Sequence, residues 1–326
     1  MSSEVELPAG VRPAPATAKV RAYVRLAKLD IIDYYLALPV ALTLLLATGQ
    51  RLSPGTLLTL VLFGLGELCV IAASVAFDDV TGYRDGSDAA NYGPDAPRRR
   101  LARKPLLAGT LTPTEAIRFG WAAAVAGALL WAGAAAVAPH RSAWTLVLAA
   151  ACLVTAVQYS WGLKISYRGW QEVFLCGFGV GMVLVPYGLL SASLSGFAVV
   201  QAVLFGAGPM LFGLYSNTHD IEGDARVGRP TVAVLTSPRG NALFITAMTL
   251  AQVGLVVWSA VAGVAPWWFP LAMLPMIALR GTELDIAFRR RDILLARRTA
   301  IRNHRVTVVL LCAVNVALPL LPGSTP

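Results

Sequence analysis

The chain has 326 residues, of which 56% are hydrophobic and only 14% charged, where soluble proteins carry about 25% charged residues. A soluble fold has no use for so many long apolar runs, so the composition points to the membrane. The formal charge of +9 would suit nucleic acid, but it falls in the loops of a multispan pattern, so membrane lipid is the expected partner and nucleic acid is not.

Residues 1–27 are polar and rich in Pro and Ala, without the apolar core of a cleaved signal peptide, and are expected to be disordered. Nine apolar runs follow, roughly 31–48, 55–77, 116–138, 143–162, 171–192, 196–216, 241–262, 266–280 and 306–321. Each approaches the ~20 residues that cross a hydrocarbon core, the last two being short. Lipid offers no water to unpaired backbone groups, so such spans must be helical. The expected fold is all-α, with nine transmembrane helices in a single membrane domain over 28–322. Arg51 and Arg141 lie in loops after odd-numbered spans, and the other 25 of the 27 basic residues lie in the N-terminal segment or in or beside loops after even-numbered spans. The positive-inside rule then puts the N-terminus and the loops at 78–115 and 217–240 in the cytoplasm of a multi-pass cell-membrane protein, with the C-terminus outside. A third such loop, 281–305, holds Arg289, Arg290, Arg291, Arg297, Arg298, Arg302 and Arg305 among apolar residues. It is expected to lie as a basic helix on the membrane surface.

Two acidic clusters close apolar spans on this cytoplasmic face. The first is Asp78-Asp79-Val80-Thr81-Gly82-Tyr83-Arg84-Asp85-Gly86-Ser87-Asp88, and the second is Asn217-Thr218-His219-Asp220-Ile221-Glu222-Gly223-Asp224. Asp220 and Asp224, four apart, would share one face of a helix leaving the sixth span. Like charges at that spacing repel unless a cation lies between them. Asp78 and Asp79 point about 100° apart on a helix, so acting together asks for a bent helix end, which Gly82 and Gly86 allow, or for separate partners. Glu222 faces away from its neighbours. Mg²⁺ takes few carboxylates and completes its shell with water and phosphate oxygens. Arg103, Lys104, Lys164, Arg168, Arg226 and Arg229 lie at the same face, and Arg makes paired bonds to phosphate. The pattern therefore suits Mg²⁺ held against a diphosphate. Deeper in the membrane, Glu67 in the second span and Asp33 in the first are ionisable groups that mark function by default. Tyr34, Tyr35, Tyr159, Tyr167, Tyr187 and Tyr215 are candidates to line a pocket, and aromatic faces there would stabilise a carbocation. All four cysteines sit inside apolar runs without CxxC spacing and read as small buried residues.

At these residues the chain resembles the UbiA superfamily of membrane prenyltransferases over about 25–322. It is most similar to the branch that prenylates 1,4-dihydroxy-2-naphthoate. The likeness is carried by the second cluster through Gly228-Arg229-Pro230-Thr231, by Tyr159 to Lys164 with Ser166-Tyr167-Arg168-Gly169 and Glu172, and by Arg103-Lys104-Pro105-Leu106-Leu107-Ala108-Gly109. The first motif departs from the family's Asn-Asp-x-x-Asp. Asp78 stands for the Asn, Asp79 for the first Asp and Gly82 for the next, leaving Asp85 as a candidate replacement.

The resemblance implies a nine-helix bundle with a central cavity, Mg²⁺ as cofactor and a polyprenyl diphosphate as substrate, with the tail in the apolar interior. Asp78, Asp79, Asp88, Asp220 and Asp224 are the expected metal ligands, with Asp79, Asp220 and Asp224 central to catalysis. Arg103, Lys104, Lys164, Arg168, Asn217, Arg226, Arg229, Tyr159, Tyr167 and Glu67 are the expected substrate contacts. An aromatic acceptor would make the chain a transferase. Gly82 keeps open a terpene cyclase on the same scaffold, which needs no acceptor. Two rivals fit less well. The CDP-alcohol phosphotransferase pattern needs an Arg that Asp85-Gly86-Ser87-Asp88-Ala89-Ala90 lacks. A transporter would place its acids at the midplane and leave the basic patches unexplained.

Overall fold

A computed structural model describes residues 16–29, 33–50, 52–92 and 103–321. Every regular element among them is helical: α1 (Ala16–Ala27), α2 (Ala37–Ala47), α3 (Pro54–Asp85), α4 (Ser87–Tyr92), α5 (Pro113–Val137), α6 (Ala143–Gln158), α7 (Gln171–Leu190), α8 (Gly196–His219), α9 (Ile221–Arg226), α10 (Val232–Leu235), α11 (Pro238–Val261), α12 (Phe269–Ala272), α13 (Leu274–Leu284) and α14 (Ile293–Ala317). Hydroxyl side chains start four of the long ones. Ser53, Thr112, Ser195 and Ser237 each accept a first-turn N–H, and three of them precede a Pro, whose missing N–H costs nothing at a helix start.

Among the described residues, six helices are long and apolar enough to cross a membrane: Pro54–Asp85, Pro113–Val137, Gln171–Leu190, Gly196–His219, Pro238–Val261 and Ile293–Leu320. The first and fourth expected spans are the shorter apolar stretches Asp33–Ala47 and Ala143–Gln158. The eighth is broken into α12 and α13 at Met273, where each piece has a Pro in its first turn. α3 packs along α5, while α7 and α8 form the centre with α2 and α14 around them. α7 and α8 approach closely because both carry Gly at the crossing. A Cβ on Gly179 would lie 2.7 Å from the Gly206 Cα.

Three expectations are corrected and one open alternative is decided. Of the segment expected to be disordered, residues 1–15 lie outside the described residues, but Ala16–Ala27 is helix α1, which buries Ala22 and Leu26 against Ala76, Val80 and Leu106. Of the two ways open to Asp78 and Asp79, the structure has separate partners and no bent helix end, with Asp78 on Arg229 and Asp79 on Lys28 and Lys104. α3 runs straight through Asp78 and Asp79 to Asp85 and stops at Gly86, in the left-handed conformation with φ 81°. The second cluster does not continue α8. That helix ends at His219 and α9 restarts after Asp220, although the Asp224 N–H still donates to the Asp220 carbonyl at 2.9 Å. Finally, 281–305 is not a surface helix. α13 ends in a π-turn at Asp285–Arg289, and the Asp292 side chain caps α14, so Arg297 to Arg305 belong to a long bundle helix.

Candidate active site

Asp78, on the inward face of α3, receives the Ser160 hydroxyl at 2.6 Å and the Arg229 guanidinium at 2.9 Å. Asp79 is 1% exposed. Its Oδ1 takes Lys28 at 2.5 Å and Lys104 at 2.8 Å, while its buried Oδ2 has no partner. Lys104 also reaches Asp88 at 2.6 Å. The Asp88 carboxylate folds back onto Gly82, where an added Cβ would meet its carbon at 2.9 Å. Asp85 takes another course, accepting from the Tyr167 hydroxyl and the Ser87 N–H. The carboxylate beside Gly82 is thus Asp88, not Asp85.

The second cluster joins the first through Arg229. Its Nη1 lies 3.9 Å from Asp224 and its Nη2 2.9 Å from Asp78. Ser160 and Ser166 offer oxygens at 3.3 and 3.1 Å, and the Tyr167 ring lies beneath the guanidinium at 4.7 Å. Behind it, Asn217 donates to Glu172 at 3.1 Å and accepts from Gln171 at 2.7 Å, which fixes the end of α8 against α7. Burial pushes the Asp224 carboxyl up to about 7, against the pull of Arg229 and with help from Asp220, Asp78 and Glu172. Burial also raises Asp88, opposed by Lys104 and reinforced by Asp79.

Below this charged layer is a cavity of about 160 Å³. Lys28 and Asp78 line it, and Tyr34, Tyr159, Phe174 and Phe178 form its aromatic wall. The rings touch in series: Tyr159–Phe174 at 4.5 Å, Phe174–Phe178 at 5.4 Å and Phe178–Tyr34 at 4.9 Å. The Tyr34 hydroxyl is tied to the Leu175 carbonyl at 2.9 Å.

The expected residues divide into three groups. Asp78, Asp79, Asp88, Asp224, Lys104, Arg229, Tyr159 and Tyr167 come together, with Asn217 behind them. Lys164, Arg168, Arg226 and Arg103 are exposed at the rim, with the Lys164 amine 5.2 Å from the Tyr167 ring centre. Glu67 stays apart. It is fully buried on α3, both its oxygens lack partners, and it is not among the cavity-lining side chains. Asp33 pairs with Arg305 at 2.6 Å. Tyr187 and Tyr215 are buried in packed clusters. Lys28, Ser160 and Ser166 join the site without having been expected as contacts; the two serines lie in stretches that carry the family resemblance, and Lys28 is the last basic residue before the first apolar run.

Among the described residues, no three Asp, Glu, His or Cys side chains converge as a ready metal site. The reason is visible in the pairing, since lysines and arginine already stand against the carboxylates. The donor set still fits Mg²⁺. It is all oxygen, and Asp79 keeps a buried oxygen without a partner.

Solved structures share this bundle. A UbiA homologue from Archaeoglobus fulgidus bound to DMAPP and Mg²⁺ aligns with TM-score 0.66 at 15% identity, over 91% of this chain and 98% of that one. With GPP and Mg²⁺ bound, the A. fulgidus UbiA homologue aligns with TM-score 0.64 at 16% identity, over the same shares. A structure of digeranylgeranylglyceryl phosphate synthase in membranes aligns with TM-score 0.63 at 13% identity, over 92% and 99%. A search of curated proteins found no match. The sequence pattern of the UbiA prenyltransferase family spans residues 36–300, so this all-helical membrane protein belongs to that family.

Proposed function

We propose that the chain is a Mg²⁺-dependent membrane prenyltransferase that ionises a polyprenyl diphosphate between its two acidic clusters and passes the prenyl group to an aromatic or other lipophilic acceptor. The observation that carries this is Arg229, which bridges Asp78 and Asp224 at the mouth of an aromatic-walled cavity. UbiA homologues carrying DMAPP or GPP with Mg²⁺ support the substrate class.

Asp78, Asp79, Asp88, Asp220 and Asp224 would hold the metal, with Asp88 taking the place opened by Gly82. Bound there, Mg²⁺ would add positive charge beside the departing diphosphate. The protein's own cations do the same work. Arg229 has the planar fork for two phosphate oxygens, Lys28 and Lys104 reach the same layer, and Lys164, Arg168, Arg226 and Arg103 draw the substrate in from the rim. The isoprenoid tail enters the cavity, where Tyr159, Phe174 and Phe178 exclude water and turn ring faces toward the allylic cation. An electron-rich acceptor then attacks that carbon. The dihydroxynaphthoate type is the acceptor we favour, and the orientation we favour has nine crossings with both clusters on the cytoplasmic side.

One observation favours a second reading, a terpene cyclase. Gly82 removes a carboxylate from the first motif, and there a distal double bond of the same isoprenoid would attack instead of an acceptor. Purified enzyme, Mg²⁺ and allylic diphosphates of increasing length, with and without a dihydroxynaphthoate-type acceptor, decide between them. Diphosphate release only with acceptor, giving a prenylated aromatic, supports the transferase. A cyclic product without acceptor replaces it with the cyclase, and no diphosphate release under either condition sinks both.

A further inference from the structure

The first acidic cluster is already neutralised by side chains. Lys28 and Lys104 share Asp79 Oδ1, Lys104 also holds Asp88, and Arg229 holds Asp78. With Asp224 beside Arg229, three cations face four carboxylates, and burial leaves Asp224 only partly ionised near neutral pH. A lone divalent cation meets little net field in such a layer, and it reaches the Asp79 or Asp88 oxygens only by competing with lysine. A diphosphate changes the balance, because its oxygens are better partners for lysine than a shared carboxylate oxygen.

Two features mark Asp79 and Lys28 as built for exchange. Asp79 Oδ2 is buried with no partner, although an unmet buried acceptor is costly. Lys28 follows the end of α1 in the left-handed backbone region with φ 48°, a conformation that strains a non-glycine residue. Its amine ends at once on Asp79 and on the cavity wall. α1 itself is held by buried Ala22 and Leu26 and by a Lys19–Glu115 pair at 2.5 Å, so Lys28 is delivered from a docked element.

We propose that Lys28 and Lys104 are exchangeable counter-ions, which neutralise Asp79 and Asp88 until substrate arrives and then pass to the diphosphate, so that a divalent cation is bound only together with diphosphate. This rests on the Mg²⁺–diphosphate reading above and adds Lys28 as a diphosphate contact. No bond is made or broken in the exchange, since each lysine trades a carboxylate for a phosphate oxygen.

The test uses the full chain in lipid nanodiscs, Mn²⁺ as a probe seen by electron paramagnetic resonance, and inorganic pyrophosphate. Wild type is expected to bind Mn²⁺ at least about tenfold more tightly with pyrophosphate than without it. Lys28→Met should bind Mn²⁺ alone more tightly than wild type and lose most of the gain from pyrophosphate. Lys28→Arg, which keeps the charge, should behave as wild type, and helical content and thermal midpoint show that each variant is folded. Diphosphate release from an allylic substrate, measured on the same wild-type preparation, tests the underlying reading separately. With release intact, Mn²⁺ binding that is equally tight with and without pyrophosphate overturns the exchange alone, as does Lys28→Met with both affinities unchanged. No release and no pyrophosphate-dependent binding overturn the exchange and the reading beneath it together.

Discussion

Two charged clusters are buried in this bundle, and they differ in what surrounds them. At the mouth, Lys28 and Asp78 line a cavity, and Asp79, Asp88, Lys104 and Arg229 are joined to them through ion pairs. In the interior, Arg280 is paired with Glu283 at 2.7 Å and bonded to Gln252 at 2.7 Å, while Asn303 donates to Glu283 at 2.7 Å. Those four side chains tie α11, α13 and α14 together, and Gln252 reaches the Leu204 carbonyl of α8 at 3.1 Å. Arg280 and Glu283 are 1% and 0% exposed. Burial of charge is common to both regions, so burial alone does not mark a site. The mouth differs in its adjacency to an apolar cavity and in cations that have somewhere else to go. The interior cluster is a helix clamp, and breaking it should cost stability rather than chemistry.

The comparison breaks most sharply at the carboxylates. Asp79→Ala or Asp220→Ala should lower diphosphate release by at least about a hundredfold, the scale seen when a preorganised charge partner is removed. Helical content should stay near wild type, and the thermal midpoint should fall less than in Glu283→Ala, because Lys28 faces the cavity and Lys104 keeps Asp88. Near-normal turnover in either variant removes that residue from the proposed site.

The interior should respond in the opposite sense. Glu283→Ala leaves Arg280 buried without its carboxylate, and breaking such a pair costs about 3–5 kcal/mol. Thermal unfolding in detergent should show a large loss, with diphosphate release per folded molecule retained. The pair Arg280→Met with Glu283→Leu should recover most of the lost stability, because apolar residues fill the space without a stranded charge. If the double variant is as unstable as Glu283→Ala, the cluster is more than a clamp.

Gly82 tests the mouth more finely. An Ala there would place its Cβ 2.9 Å from the Asp88 carboxylate carbon and 3.0–3.1 Å from its oxygens. Asp88 must move off Lys104, and overpacking of this kind costs about 1–3 kcal/mol. The expected readout is a raised KM for the diphosphate substrate, exceeding any change in thermal midpoint. An unchanged KM would mean that the seat of Asp88 on Gly82 has no part in binding.

The mouth was largely legible in the sequence, because its acids come in two runs and its arginines follow them within a few residues. Apolar run length gave the helical membrane class for the same reason, as spans are continuous in sequence. What stayed hidden depends on tertiary approach. Arg280, Glu283, Gln252 and Asn303 come from three separate helices, so no local pattern announces them. The span 281–305 looked like a surface helix because its arginines dominate its composition. Yet Asn303 and His304 on the same helix are fully buried, and the cap at Asp292 decides where it starts. Lys28 was hidden for a related reason, since only the docking of α1 on α3 brings it to Asp79.

The smallest expected effect separates two roles of Tyr167. Its hydroxyl donates to Asp85, and its ring lies under Arg229 at 4.7 Å. Tyr167→Phe removes the first contact and keeps the second, at a cost near the about 0.5–1.5 kcal/mol of one hydrogen bond. Because Asp85 also holds the Ser87 N–H at 3.0 Å, the turn at Gly86 should survive. Tyr167→Ala removes the ring as well and lets Arg229 leave its place between the clusters, adding about 0.5–2 kcal/mol for the lost cation–π contact. The measurement is KM for the allylic diphosphate in both variants. A larger rise for Ala than for Phe assigns Tyr167 to positioning Arg229. Equal rises would assign it to Asp85, and would make the ends of α3 and α4, rather than the bridging arginine, the part of the mouth that this tyrosine serves.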